Sequence, residues 1–182
     1  MVESFTLPRS MRYICLAFQG LVVLIAILSV WLYFQSDTMD QILDVYLSRL
    51  SDEAREVLTY SDVKKSLLIT LATVAFFAPV LILYGAFGVF QVYRRTDPFH
   101  PKAAKSVRFL GLTIVIYAFS RIINHSLTVL LLTYDNPPGT KELSIAINTQ
   151  DLIVLMIGTL LVIIGHILAR AAKIAQENRQ FV

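Results

Sequence analysis

Four apolar runs, at about residues 12–34, 66–92, 109–133 and 152–169, constrain this chain more than any other feature. Each is long enough to cross a hydrocarbon core of about 30 Å, which takes roughly 20 helical residues. Lipid offers backbone groups no hydrogen-bond partner, so a lone apolar run can cross only as a helix that satisfies itself. Composition agrees: 56% of the 182 residues are hydrophobic and 16% charged, more apolar than the roughly 45–50% of an ordinary soluble domain. The expected fold class is all-α, a polytopic membrane protein with four transmembrane helices. Residues 1–182 read as a single membrane domain, with no internal repeat or low-complexity tract, an outer loop at 35–65 and a tail at 170–182.

Arg9 and Arg12 ahead of the first run imitate a secretory leader. The apolar stretch from Tyr13 to Phe34 outlasts the roughly 7–15 residues of a leader core, and its "SVWLYFQ" end has no small-x-small cleavage pattern. A retained helix is expected. Lys and Arg are enriched in cytoplasmic segments. The N-terminus, the middle connection (Arg94, Arg95, Lys102, Lys105, Arg108) and the tail hold ten, against five on the other side. Acidic residues divide three against ten in the opposite sense, so both termini are expected in the cytoplasm.

The outer loop carries Met39, Ile42, Leu43, Tyr46, Leu47 and Leu50 at i, i+3, i+4 spacing with acids between them, the pattern of an amphipathic helix. Ser51 before Asp52 and Glu53 marks the start of a second short helix ending near Tyr60. Both are expected on the outer membrane face or as a cap on the bundle. Pro98 and Pro101 end the second long helix near Arg95, and a new helix starts at Lys102. Pro79 should kink the second span; Gly85 and Gly88 give it a small-residue face. Gly158 and Gly165, seven apart, share one face of the fourth and mark a close helix contact.

One segment stands apart: "YAFSRIINHSLTVLLLTY", residues 117–134, is apolar yet carries Arg121, Asn124 and His125. With Tyr117 and Thr128 these residues fall on one stripe of the third helix. Counted from Phe109, Arg121 lies about 18 Å along that helix, near mid-membrane, where a cation costs about 2.5–3.5 kcal/mol and should face the bundle interior. Asp135 and Asp151 lie at the outer ends, and no acid lies inside a span. The partners expected within the chain are therefore neutral: Gln19, Tyr84, Tyr117, Asn124 and carbonyls around Pro79. An anion or another subunit's acid are the outside options. The seam serves either helix register and assembly, or a transport pathway with Arg121 as anion site and His125 as the titrating group.

Enzyme chemistry finds little support. The sequence has no Gly-rich phosphate loop, HExxH, CxxC or GxSxG, and no catalytic, metal or cofactor site is expected. His125 and His166 fall about 15 Å apart in depth by rise per residue, too far to share a haem iron. Lone Cys15 reads as a packed small hydrophobe. The basic inner surface, Arg94, Arg95, Lys102 and Lys105 around Pro98 and Phe99, suits anionic lipid headgroups or an acidic cytoplasmic protein rather than nucleic acid. Beyond the fourth span, Ile174 and Phe181 share a helix face while Glu177 and Asn178 are polar. About two turns of that helix are expected to protrude and offer a partner a surface.

The stretch "DPFHPKAAKSVRFLG" and the terminal "DLIVLMIGTLLVIIGHILARAAKIAQENRQFV" resemble a family of small four-helix bacterial inner-membrane proteins named only as a domain of unknown function. The likeness covers about residues 85–182; many relatives end Leu-Thr-Val or Leu-Thr-Ile after the Glu-Asn pair, where this chain has "RQFV". Such proteins are often encoded beside a small Xre-type helix-turn-helix regulator. The resemblance implies a multi-pass protein of the bacterial cytoplasmic membrane that holds that regulator through its inner loop and tail. The function expected is thus non-enzymatic and regulatory, with membrane lipids, a cytoplasmic helix-turn-helix protein and a second copy of the chain as partners. A small transporter or channel, and a structural subunit of a larger complex, are the alternatives.

Overall fold

The computed structural model describes residues 9–33, 62–95, 100–137, 145 and 147–180. It has four long helices: α1 (Arg9–Tyr33), α2 (Asp62–Arg95), α3 (Pro101–Thr133) and α4 (Thr149–Gln180). Each contains a stretch long and apolar enough to cross a membrane, and no strand occurs among the described residues. The four expected spans are all present. The amphipathic helices expected between Met39 and Tyr60 lie outside the described residues, as do Pro98, Phe99 and Phe181.

Local sequence sets the helix limits. His100 caps α3, its ring Nδ1 accepting from the Lys102 N–H at 3.1 Å, and Pro101 takes the first helical position, where its missing N–H costs nothing. At the far end the Thr133 carbonyl accepts the Asn136 N–H at 3.2 Å, closing a turn ahead of the Pro-Pro-Gly sequence. α2 runs unbroken through Pro79. Ser and Thr hydroxyls inside the helices donate to carbonyls three or four residues back, as in Thr128 to Asn124 at 2.8 Å and Thr159 to Leu155 at 2.8 Å. The chain thus meets lipid with few spare donors.

Neighbouring helices pack antiparallel in chain order, most extensively α3 on α4, then α2 on α3, then α1 on α2. The α3–α4 seam is a backbone contact. A Cβ added at Gly111 would come within 2.6 Å of the Val162 nitrogen; one at Gly158 would come within 3.0 Å of the Val115 nitrogen; one at Gly165 would come within 2.8 Å of the Arg108 nitrogen. On α4 the buried positions Asp151, Gly158, Gly165 and Ala172 recur every seven residues, facing buried Ala104, Gly111 and Ala118 at the same spacing on α3. A seven-residue repeat of small residues keeps one seam facing its neighbour along a left-handed pair. The close contact expected at Gly158 and Gly165 is there. Gly88, by contrast, has open space around it.

The helices are staggered. Asp151, two residues into α4, meets Arg121, and α3 then continues 12 residues, about 18 Å, to Thr133. α2 accompanies α3 to its end, where Lys64 reaches Asp135 at 3.7 Å. α1 registers on α2 through the stacked rings of Phe18 and Phe90, 5.2 Å apart, and ends at Tyr33, about 20 Å short of the tip of α2. At the opposite end α4 overshoots. Gly165 is level with Arg108, so Ala172 is level with Pro101, and the eight residues to Gln180 run on for about 12 Å. The end with Arg12, Arg95, Lys102 and Arg170 is the basic end; the opposite end, where α2 starts and α3 stops, carries Asp62 and Asp135 and is the acidic end.

Candidate functional site

The polar stripe on α3 divides between two neighbours. Asn124, 6% exposed, turns to α2 and donates from Nδ2 to the Leu71 carbonyl at 2.9 Å, while its own carbonyl accepts the buried Thr128 hydroxyl. Arg121 turns to α4, where its Nε lies 3.3 Å from Asp151 Oδ1. Tyr117 and His125 are half-buried beside them, and His125 is engaged in a contact of its own. All five residues lie on the same three turns of α3, but Arg121 is apart from Asn124 and Thr128 in what it holds.

This corrects the expectation that Arg121 has only neutral partners within the chain. Gln19 and Tyr84 lie elsewhere. Tyr84 packs edge-on against Phe109, 12 residues from Arg121 on α3, and Gln19 is buried on α1 beside Phe18, with no hydrogen-bond partner for Nε2 among the described residues. The partner is Asp151, 4% exposed. Its other oxygen, Oδ2, accepts the Asn148 N–H at 3.1 Å, while the Asn148 carbonyl accepts the Asp151 N–H at 2.9 Å. The acid at N3 reaching back to the N–H of N-cap Asn148 is the carboxylate half of a capping box. One carboxylate therefore starts α4 and ties that start to α3.

The α4 sequence gives a second measure of the depth of Arg121. Between Asp151 and Arg170, α4 has 18 charge-free residues, about 27 Å of helix, and a core of about 30 Å takes all of it. A bilayer centred on that stretch would put Asp151, and Arg121 with it, at its boundary. α1 ends at the same level, with Trp31 exposed two residues before Tyr33, as aromatic rings at an interface do. Counting from Phe109 gives a deeper position because α3 is longer than that charge-free stretch.

At the basic end the charges are arranged differently. Arg12, Arg95, Lys102, Lys105, Arg108 and Arg170 are exposed and Arg94 is half-buried. Among the described residues the ion pairs are Lys64 with Asp135, Arg121 with Asp151 and, in the tail, Lys173 with Glu177 at 3.8 Å. None of those seven cations has an acidic partner among the described residues. Of the tail residues named above, Ile174 is 58% exposed and Glu177 is exposed; Asn178 lies in α4, its side chain outside the described set.

His166 Nδ1 lies 3.0 Å from the Val162 carbonyl in its own helix, which accepts from the ring tautomer that carries its proton there. It is level with about Val107, which puts it roughly 27 Å along the bundle from His125, further than the 15 Å expected. Among the described residues no three His, Cys, Asp or Glu side chains gather as metal ligands do.

Residues 9–181 match the profile of a family described as "Protein of unknown function (DUF2975)". No curated protein matches the chain. No solved structure matches it either.

Proposed function

This chain belongs to the DUF2975 family, and from that premise we propose that it is a non-enzymatic accessory protein of a bacterial cytoplasmic membrane. Its basic end faces the cytoplasm, following the excess of Lys and Arg there. There it holds a cytoplasmic helix-turn-helix regulator away from DNA. The observation that carries this reading is the overshoot of α4: Lys173 to Gln180 extend about 12 Å past the start of α3. Ile174 is exposed on that overhang, with no described helix over it. A short amphipathic helix standing clear of its bundle is the form in which apolar anchors are offered to a groove.

Arg121 weighs against the transport reading. Its charge is answered by Asp151 within the chain, so the seam has a use in assembly that needs no substrate. The same pair removes the need for another subunit's acid.

The test is affinity purification of the tagged protein from gently solubilised membranes, beside a variant truncated after Lys173, which keeps buried Ala172. A stoichiometric DNA-binding protein with the full chain and none with the truncated one is the expected result. Equal recovery with both removes the overhang from the account.

A further inference from the structure

The seven cations with no acidic partner among the described residues do not lie at one depth, and the deepest of them has the most defined surroundings. Arg108 is 13 residues from Arg121 on α3, about 20 Å. With Arg121 at one boundary of a core of about 30 Å, the Arg108 backbone is still some 10 Å inside the other. Its stem has to carry the guanidinium outward to the headgroup layer. The stem is also guided. Gly165 of α4 leaves a notch against it, such that a Cβ there would lie 2.8 Å from the Arg108 Cβ. Lys105 follows one turn nearer the basic end, about 24 Å from Arg121, on a neighbouring face of α3.

Neither side chain meets an acid among the described residues, and both are exposed. A soluble acidic protein docks at the membrane surface, whereas groups at this depth are reached by the phosphate and glycerol region of a lipid. We propose that Arg108 and Lys105, on the side of α3 that meets α4, bind the headgroup phosphate of an anionic phospholipid, which seats on the α3–α4 pair at the basic end. The lipid site is independent of any regulator. It leaves the α4 overhang free, so lipid and protein partner occupy different parts of the basic end.

The experiment is native mass spectrometry of the purified full chain after reconstitution in equal amounts of phosphatidylglycerol and phosphatidylethanolamine. Phosphatidylglycerol should be retained preferentially. Lys105→Gln and Arg108→Gln should each weaken that preference about fivefold, the effect of one cation near a charged lipid surface. Lys173→Gln, on a residue already paired with Glu177, should leave it nearly unchanged. Inorganic phosphate at millimolar concentration should fail to displace the lipid. Equal retention of the two lipids would overturn the proposal. So would an equal loss in the Lys173 variant, which would reduce the preference to net charge, or displacement by phosphate, which would make the site one for a free anion. Lys105→Gln changes an exposed side chain alone, and keeps the test valid should Arg108→Gln disturb the seam.

Discussion

The α3–α4 seam and the basic collar treat their arginines in opposite ways. On the seam, Arg121 is held by a carboxylate that also caps α4, and small residues bring the two backbones together below it. In the collar, Arg12, Arg94, Arg95, Lys102, Lys105, Arg108 and Arg170 have no acidic partner among the described residues. A cation whose counter-charge lies within the chain is part of what folds it. One without such a partner among the described residues is open to what lies outside, which on the proposals above is membrane orientation and phospholipid. Substitutions in the two regions should therefore act on different observables.

The largest effect belongs to the glycines. Gly158→Leu drives a side chain into the α3 backbone at Val115, and overpacking of this kind costs about 1–3 kcal/mol or more. Folded protein recovered in mild detergent should fall sharply, while Gly88→Leu, with open space around it, should be recovered like the parent. Next comes Asp151→Ala, which strands Arg121 and removes the cap. A loss of about 2 kcal/mol is expected, between the values for exposed and buried pairs, read as a lower midpoint in denaturant. Asn124→Leu deletes one interhelical hydrogen bond and should cost about 0.6–1.7 kcal/mol on the same measurement. The smallest effect falls in the collar. Arg94→Gln with Arg95→Gln should shift the midpoint by less than about 0.5 kcal/mol, yet disturb membrane orientation, read by protease access to the termini. A collar substitution as destabilising as Asp151→Ala would erase the distinction between the regions.

The spans were legible because apolar length alone dictates them, and the Gly158–Gly165 contact because a seven-residue spacing fixes one helix face. The facing residues Ala104, Gly111 and Ala118 follow the same rule on α3, and pairing the two series would have brought the helices into register. That register carries Asp151, seven before Gly158, to Arg121. The acid was passed over because it stands at the edge of its span and so counted as outside the membrane. The depth of Arg121 depends on which helix is taken as the measure: α3 is longer than a bilayer core is thick, whereas α4 has 18 charge-free residues, about the length of one. The stagger of the helices, with α2 and α3 beyond α1 and α4 at one end and α4 beyond the rest at the other, comes from side-chain contacts that no single helix's periodicity contains.

The most direct test of this account is a double-mutant cycle on Arg121 and Asp151, using Arg121→Gln, Asp151→Asn and the pair, with unfolding free energies measured in one detergent. Asp151→Asn retains an oxygen for the Asn148 N–H, so the cycle isolates the ion pair from the cap. A coupling energy of about 1 kcal/mol or more, with the double variant close to the milder single one, is the result expected for a pair of this kind. Additive losses with no coupling would mean that Arg121 is not held by Asp151, and would return it to an outside anion or another chain.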